Sequence, residues 1–257
     1  MHLFHAALVS FAERREIIMN DSFKKKSPKF RHELKYICSD AELNIIKCRL
    51  QNIMPLDPHT GESGTYNIKS MYFDDLYNTS YFDNEDGANP REKWRIRIYN
   101  NSDKRITLES KRKENDMILK KSCPITLKQF NAIAYKDGVC TILNDTPPLL
   151  NKFLLDMMNK GLKPVVIVQY DRRPFVYALG NVRVTFDQNI MGSTDFDHFF
   201  SPSNPCRPIL PLGHSLLEVK YDEYRPDHIY HAIQMTDMQR TRFSKYYLCR
   251  KHGIRAY

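Results

Sequence analysis

The chain has 257 residues, of which 42% are hydrophobic, 12% aromatic and 27% charged, with only 9 glycines. That apolar content can build a core, which excludes a wholly disordered or collagen-like chain, and no apolar run reaches the roughly 20 residues a membrane helix needs. The 39 Lys and Arg against 30 Asp and Glu leave a net charge of +9, so the expected partner is anionic: nucleic acid, an anionic surface or a phosphate-rich ligand.

In chain order, residues 3–11 are apolar but have no basic segment before them, so they read neither as a secretion signal nor as a span. Residues 1–29 are set aside as a disordered or spurious extension, with Met19 as a candidate start, and one folded domain is expected over 30–257. Residues 30–37 read as a strand. Ser39 and Glu42 then form a capping box for a helix whose inner face is Leu43, Ile46, Leu50 and Ile53, stopped by Pro55. A strand is expected over 65–74 and a short helix or loop over 78–86. Three strands follow at 91–99, 105–113 and 117–123, with turns at 100–103 and 113–116. Thr126 and Gln129 open a helix carrying Phe130 and Ile133. Thr146-Pro147 opens another that carries Leu150, Phe153, Leu154 and Met157 and ends at Gly161. Strands are expected at 164–171, 174–179, 181–187 and 214–221, with a proline-rich connection over 189–213. Helices close the chain at 226–235 and 241–251. The pattern is an α+β antiparallel meander rather than a βαβ array.

The polar faces of these strands are charged rather than mixed. Arg91, Lys93, Arg95 and Arg97 alternate with Trp94, Ile96 and Ile98; Arg105, Thr107, Glu109, Lys111 and Lys113 alternate with Ile106 and Leu108. Arg31, Glu33 and Lys35, then Arg183, Thr185 and Asp187, then Glu218 and Lys220 repeat the pattern. Like charges side by side are unfavourable without a counter-charge. Either these faces are a solvated exterior, or they line the lumen of a barrel whose apolar outer face the helices cover. A lumen of that kind cannot be dry, because unpaired buried charges are costly. Phosphate oxygens suit Arg and Lys, and Glu218 among them suits a Mg²⁺ or Mn²⁺ ligand, its plainer alternative being an ion pair with Lys220 or an arginine.

The sequence resembles the VTC domain, the polyphosphate polymerase domain of the triphosphate tunnel metalloenzymes and a relative of the CYTH proteins. The matching pieces, in order, are R-H-E-L-K-Y from Arg31, S-M-Y-F-D-D at 70–75, W-R-I-R-I-Y at 94–99, L-E-S-K at 108–111, Q-Y-D-R-R-P-F at 169–175, V-R-V-T-F-D at 182–187, L-L-E-V-K at 216–220 and S-K-Y at 244–246. The resemblance implies an eight-stranded antiparallel tunnel with helices packed outside, acting on ATP and polyphosphate. It makes Arg95, Arg97, Lys111 and Lys245 the catalytic cations and Glu218 the ligand of Mn²⁺ or Mg²⁺. Phosphate contacts would come from Lys35, Arg31, Lys93, Arg172, Arg183, Lys220, and Lys120 or Lys121, which strand parity leaves open. Arg172 shares parity with Val166 and Val168, so a bulge or Arg173 is the alternative there. The first strand has Arg31-x-Glu33-x-Lys35, where the hydrolytic CYTH enzymes have Glu-x-Glu-x-Lys, and one carboxylate fewer weakens a two-metal hydrolase.

The expected reaction is transfer of the ATP γ-phosphoryl to a polyphosphate chain. The alternatives are a non-catalytic polyphosphate or nucleotide module and a tripolyphosphatase. Nucleic acid is not expected: no known module appears, and the aromatic residues share the apolar faces. The six cysteines form no C-x-x-C pair, which reads as reduced, mostly buried thiols in a cytoplasmic protein. No span, no regulatory SPX domain and no membrane translocation is read from this sequence; a membrane-associated partner and the oligomeric state stay open.

Overall fold

A computed structural model describes residues 29–135, 146–235 and 238–254. The extension expected over 1–29 therefore lies outside the described residues, apart from Lys29. The elements run β1 (Arg31–Ser39), α1 (Asp40–Leu50), β2 (Tyr66–Asp74), α2 (Thr79–Glu85), β3 (Arg91–Tyr99), β4 (Ser102–Glu114), β5 (Met117–Ile125), α3 (Leu127–Ala134), α4 (Pro148–Lys160), β6 (Lys163–Tyr177), β7 (Val182–Ser193), β8 (Arg207–Pro208), β9 (His214–Tyr221), α5 (Asp227–Ile233) and α6 (Lys245–Ile254).

Eight of the strands close on themselves in the order β1-β5-β4-β3-β2-β6-β7-β9, with β9 returning to β1 and every pair antiparallel. The two-residue β8 adds to the outside edge of β7. The tight turns use the residues that tolerate left-handed backbone: Asn100 and Asn101 (φ 50° and 55°), then Asn115 and Asp116 (φ 47° and 63°).

On most strands the apolar face points outward, and the helices cover it; β2 and β6 also turn apolar and aromatic side chains inward. Ile96, Ile98, Ile106 and Leu108 pack under Phe130 and Ile133 of α3 and Leu150, Phe153 and Leu154 of α4. Trp94 Nε1 donates to Asp156 at 3.2 Å and ties α4 to β3. On the far wall Val182, Val184, Leu217 and Val219 pack under Leu43, Ile46 and Leu50 of α1 and Ile229 and Ile233 of α5. The capping box expected at Ser39 is present, with Ser39 N donating to Glu42 at 2.7 Å. So is the one at Thr126 and Gln129, and Gly161 ends α4 at φ 66°.

Several boundaries differ from those expected, β4 starting at Ser102 inside the expected 100–103 turn among them, and three others shape the site. Residues 164–171 and 174–179 are one strand, because Pro174 sits in β6 opposite Thr185 while its carbonyl accepts from Asp57 N at 3.0 Å. β7 continues to Ser193 before the proline-rich connection. The last helix starts only at Lys245, because residues 240–241 are extended along β1: Tyr36 bridges Arg240, and Thr241 N donates to Lys35 O at 2.8 Å.

α6 is also less peripheral than the other helices. It lies across one end of the barrel, where Phe243, Tyr246 and Cys249 pack on the inward-facing Tyr72, Val166, Val168 and Leu216. The barrel therefore has an apolar plug at one end of its own interior. Of the five described cysteines, all are unpaired, and Cys38, Cys123 and Cys249 are buried. No helix among the described residues is long and apolar enough to cross a membrane.

Gly180 makes the turn from β6 to β7 at φ 70°, and a Cβ there would collide with the carbonyl oxygen of Tyr224. Gly180→Ala is expected to cost about 1–3 kcal/mol of stability, measured as a lower denaturant midpoint with an unchanged m-value.

Candidate functional site

The inverted strand pattern leaves the inside of the barrel to charged side chains. Two cavities, of about 350 and 560 Å³, open toward the two ends of the barrel. They share Glu33, Arg95, Arg97, Lys111, Arg172 and Lys220 as lining, so together they form one tunnel through the barrel.

Four carboxylates organise its cations. Glu109 accepts from Arg95 (Nη2, 2.6 Å; Nε, 2.7 Å) and from Lys120 at 3.0 Å, with Arg97 at 3.7 Å. Asp187 takes the Arg172 fork at 2.6 and 2.7 Å and Lys245 at 2.6 Å. Glu218 is held by Lys245 and Lys220, both at 2.8 Å, and by Arg172 at 3.2 Å, with Lys35 at 3.8 Å. Glu33 meets Lys35 at 2.9 Å and Lys111 at 3.0 Å. All four are almost fully buried at the side chain.

These charges set each other's ionisation. Burial works against the Glu218 carboxylate, but Lys220, Lys245, Lys35 and Arg172 hold it well below the usual range. Glu33 is likewise held low by Lys111, Lys35 and Lys220 against its burial. Lys111 moves the other way. Burial, reinforced by Lys35 and Lys220 and only partly offset by Glu33, lowers its ammonium to about 7. Among the described residues Lys93 makes no ion pair with a carboxylate: it donates to Asn84 at 2.6 Å and to Ser244 at 3.2 Å, and lies 4.9 Å from the centroid of the Tyr246 ring. Burial and the nearby Arg91, Lys111 and Lys35 push it well below the usual lysine range.

The structure brings almost all of the sequence-predicted residues into this tunnel. Lys35, Lys93, Lys245 and Glu218 line one cavity, Arg31, Lys120 and Arg183 line the other, and Arg95, Arg97, Lys111, Arg172 and Lys220 line both. The open choice between Lys120 and Lys121 falls to Lys120. Lys120 pairs with inward Lys111, whereas Lys121 pairs with outward Ser110 and is exposed, so Lys121 is not a tunnel residue. Arg172, not Arg173, faces inward. The bulge sits on the β7 side, between Gln169 and Asp171, and leaves Val166, Val168, Tyr170 and Arg172 on one face of β6. The two valines are inward because α6 fills that end. Arg173 instead donates to Ser63 O at 3.0 Å.

In the sequence Glu33, Glu109 and Asp187 stand out only as parts of a charged face, and Tyr72, Tyr170, Arg240 and Arg242 carry no assigned role. Parity marks the three carboxylates, whose function as counter-ions needs only the closure of the barrel. Nothing local marks Arg240 and Arg242, which reach the tunnel only because their segment lies along β1.

The model of the VTC domain matches residues 30–252. The chain belongs to the VTC domain family. No curated protein matches it in sequence. Among solved structures it is similar to a protein from Hippeastrum named an adenylyl cyclase and credited with a dominant triphosphatase activity, at 10% identity and a TM-score of 0.53, covering 86% of this chain and 96% of that one. A Bacillus halodurans protein named as an adenylate cyclase matches at 14% identity and a TM-score of 0.42 over 80% and 87% of the two chains. The Mimivirus capping-enzyme triphosphatase matches at 9% and 0.39 over 87% and 98%. At these identities the Hippeastrum likeness speaks for the shared tunnel fold alone.

Glu109 is the only carboxylate in ion-pair contact with Arg95 and Arg97 among the described residues. Glu109→Ala is expected to cost about 3 kcal/mol by leaving buried guanidiniums unpaired. Glu109→Gln, which keeps a hydrogen-bonding oxygen, should cost less; urea unfolding of both variants checks the order.

Proposed function

We propose that this VTC domain is a phosphotransferase that moves the γ-phosphoryl of ATP onto the end of a polyphosphate chain held in the tunnel. The observation that carries the reading is a tunnel open toward both ends, with cations well in excess of carboxylates. A linear polyanion can lie along such a channel and lengthen, which a one-mouthed pocket would not allow.

The reaction asks little covalent chemistry of the protein. A terminal phosphate oxygen of the chain attacks the γ-phosphorus, the bond from that phosphorus to the β–γ bridging oxygen breaks, and ADP leaves with the electron pair. Positioning and charge neutralisation supply the rate. Arg95 and Arg97 from β3 and Lys111 from β4 would hold the γ-phosphoryl from one wall. Arg172 and Lys245 would hold it from the other, with Lys35, Lys220 and Arg183 along the remaining path. The Arg95 and Arg172 guanidiniums are already held by two nitrogens each on Glu109 and Asp187, so these two have little orientation entropy left to lose on binding.

A divalent cation fits this donor set at Glu218. Its oxygens are the hard donors that Mg²⁺ and Mn²⁺ prefer, and such ions are commonly held by one or two carboxylates plus substrate phosphates and water. Among the described residues no three His, Cys, Asp or Glu side chains converge as a closed metal site, so phosphate oxygens would complete the coordination. When bound, the ion would neutralise developing charge on the phosphate oxygens. Lys220, Lys245 and Lys35, which now surround Glu218, would then turn to phosphates.

The triphosphatase alternative takes its support from Glu33 as a second lumen carboxylate beside Glu218. Against it, Glu33 is engaged by Lys35 and Lys111, and Arg31 stands where a further carboxylate would serve a second metal.

Incubation with γ-labelled ATP and Mn²⁺ decides between the readings. The expected product is label in long acid-labile phosphate chains together with ADP, and Glu218→Ala should abolish it while the protein stays folded by circular dichroism. Release of orthophosphate alone would favour the triphosphatase, and binding without turnover the non-catalytic module.

Lys111 adds a pH signature. Its ammonium, at about 7, is charged below that pH and neutral above it, so its attraction for phosphate is present at low pH and lost as the pH rises. Tripolyphosphate affinity should weaken more steeply from about pH 6 to about pH 9 in the wild type than in Lys111→Arg, whose guanidinium stays charged. The difference between the two proteins removes the ligand's own titration from the comparison, and isothermal calorimetry at each pH reads it.

A further inference from the structure

The two mouths of the tunnel treat their cations differently. At the mouth where β1 begins, Arg31 pairs with Asp222 at 2.7 Å, Arg183 with Asp57 at 2.7 Å and Lys120 with Glu109 at 3.0 Å. At the opposite mouth, beside α6, none of Arg91, Lys93, Arg240 and Arg242 makes an ion pair with a described residue. Asp116 also lines that mouth, but it holds Lys113 at 2.7 Å.

The inner cations lead to this mouth. Along β3, Arg97, Arg95, Lys93 and Arg91 share the inward face, each step about 6.6 Å. On β4, Lys111 stands opposite Lys93, and Lys113 opposite Arg91. Two like-charged cross-strand pairs in succession are unfavourable unless an anion lies over them. Toward the other mouth the same face of β3 offers only Tyr99. The segment along β1 then brings Arg240 and Arg242 to the rim, both exposed. It occupies the flank of β1 where β5 is missing, since β5 pairs with β1 only at Arg31 and His32.

We propose that this mouth is an extended anion subsite that selects long condensed-phosphate chains over triphosphate, with Arg91, Arg240 and Arg242 gripping the part of the chain that lies outside the tunnel. The subsite rests on the reading of the tunnel as a polyphosphate channel. A single-stranded nucleic acid is also a linear polyanion, but the aromatic residues lining this mouth, Phe243 and Tyr246, are buried, so bases would find no stacking platform.

Calorimetric titration of the whole chain with tripolyphosphate and with long-chain polyphosphate tests this. The wild type should bind the long chain at least about tenfold tighter, the scale of a few charge-assisted contacts. Arg240→Gln combined with Arg242→Gln should remove that gain and leave tripolyphosphate affinity and the thermal midpoint unchanged. Arg91→Gln, on a different element, should reduce the gain as well, and Lys29→Gln at the other mouth should not. An equal loss for both ligands, an unaltered preference in the rim variants, or displacement of the long chain by a single-stranded oligonucleotide would overturn the subsite. Tripolyphosphate binding with no preference for length would sink the subsite alone, whereas a wild type that binds neither phosphate would sink the tunnel reading beneath it.

Discussion

Putting charge inside a closed β-barrel is the constraint on which this structure depends. The lumen is too small to hydrate each ammonium and guanidinium as bulk water would, so each inward cation must find a carboxylate, a carbonyl, a ring face or a ligand. Glu33, Glu109, Asp187 and Glu218 supply the first kind of partner. Phe243 O, which accepts from Lys35 at 2.8 Å, and the Tyr170 ring, 4.8 Å from Lys245 and 5.2 Å from Arg172, supply the next two. The residual positive charge is what a polyanion would neutralise.

That choice dictates the outside of the molecule. With charges facing in, the apolar faces of β1, β3, β4, β7 and β9 face out and have to be covered, and α1, α3, α4 and α5 do this as two separate cores on opposite walls. The barrel is thus a charged channel between two greasy layers rather than a sheet wrapped around its own core. Its interior is apolar beside α6, where Phe243 and Tyr246 pack on Val166 and Val168 without closing the mouth and Tyr246 donates to the buried Asp74 at 2.5 Å. Asp74 also accepts from the backbone of Ser80 and Tyr81 at 2.9 and 3.1 Å. One carboxylate so anchors both α2 and the helix that carries Lys245 to Glu218 and Asp187.

The pairing scheme separates rigid cations from adjustable ones. Arg95 and Arg172 sit in fixed forks on carboxylates that are themselves buried, and their planar geometry permits little rearrangement. The lysines are single-point donors on flexible stems. Lys35 and Lys220 each stand between Glu33 and Glu218, so an entering anion or a cation on Glu218 can redistribute them without moving the strands. Lys111, Lys220 and Lys93, which burial pushes below the usual lysine range, are groups that added negative charge would stabilise in the charged form.

Much of this was legible in the amino-acid order. Period-two alternation in β1, β3, β4, β7 and β9 fixes which residues share a face, because successive side chains must point to opposite sides of a strand. The capping boxes at Ser39 and Thr126 and the turns at Asn100 and Asn115 follow from local hydrogen bonding and backbone freedom. Which face is the inside is not a local property: the same alternation describes a solvated exterior, and only ring closure through β6–β7 and β9–β1 makes the charged faces meet. Closure likewise decides that Lys120 rather than Lys121 turns inward, that Val166 and Val168 meet a plug while Arg172 beside them meets Asp187, and that Arg240 and Arg242 stand at a tunnel mouth. Each of these depends on a partner far away in sequence, and long-range pairing is what the chain's own periodicity cannot encode.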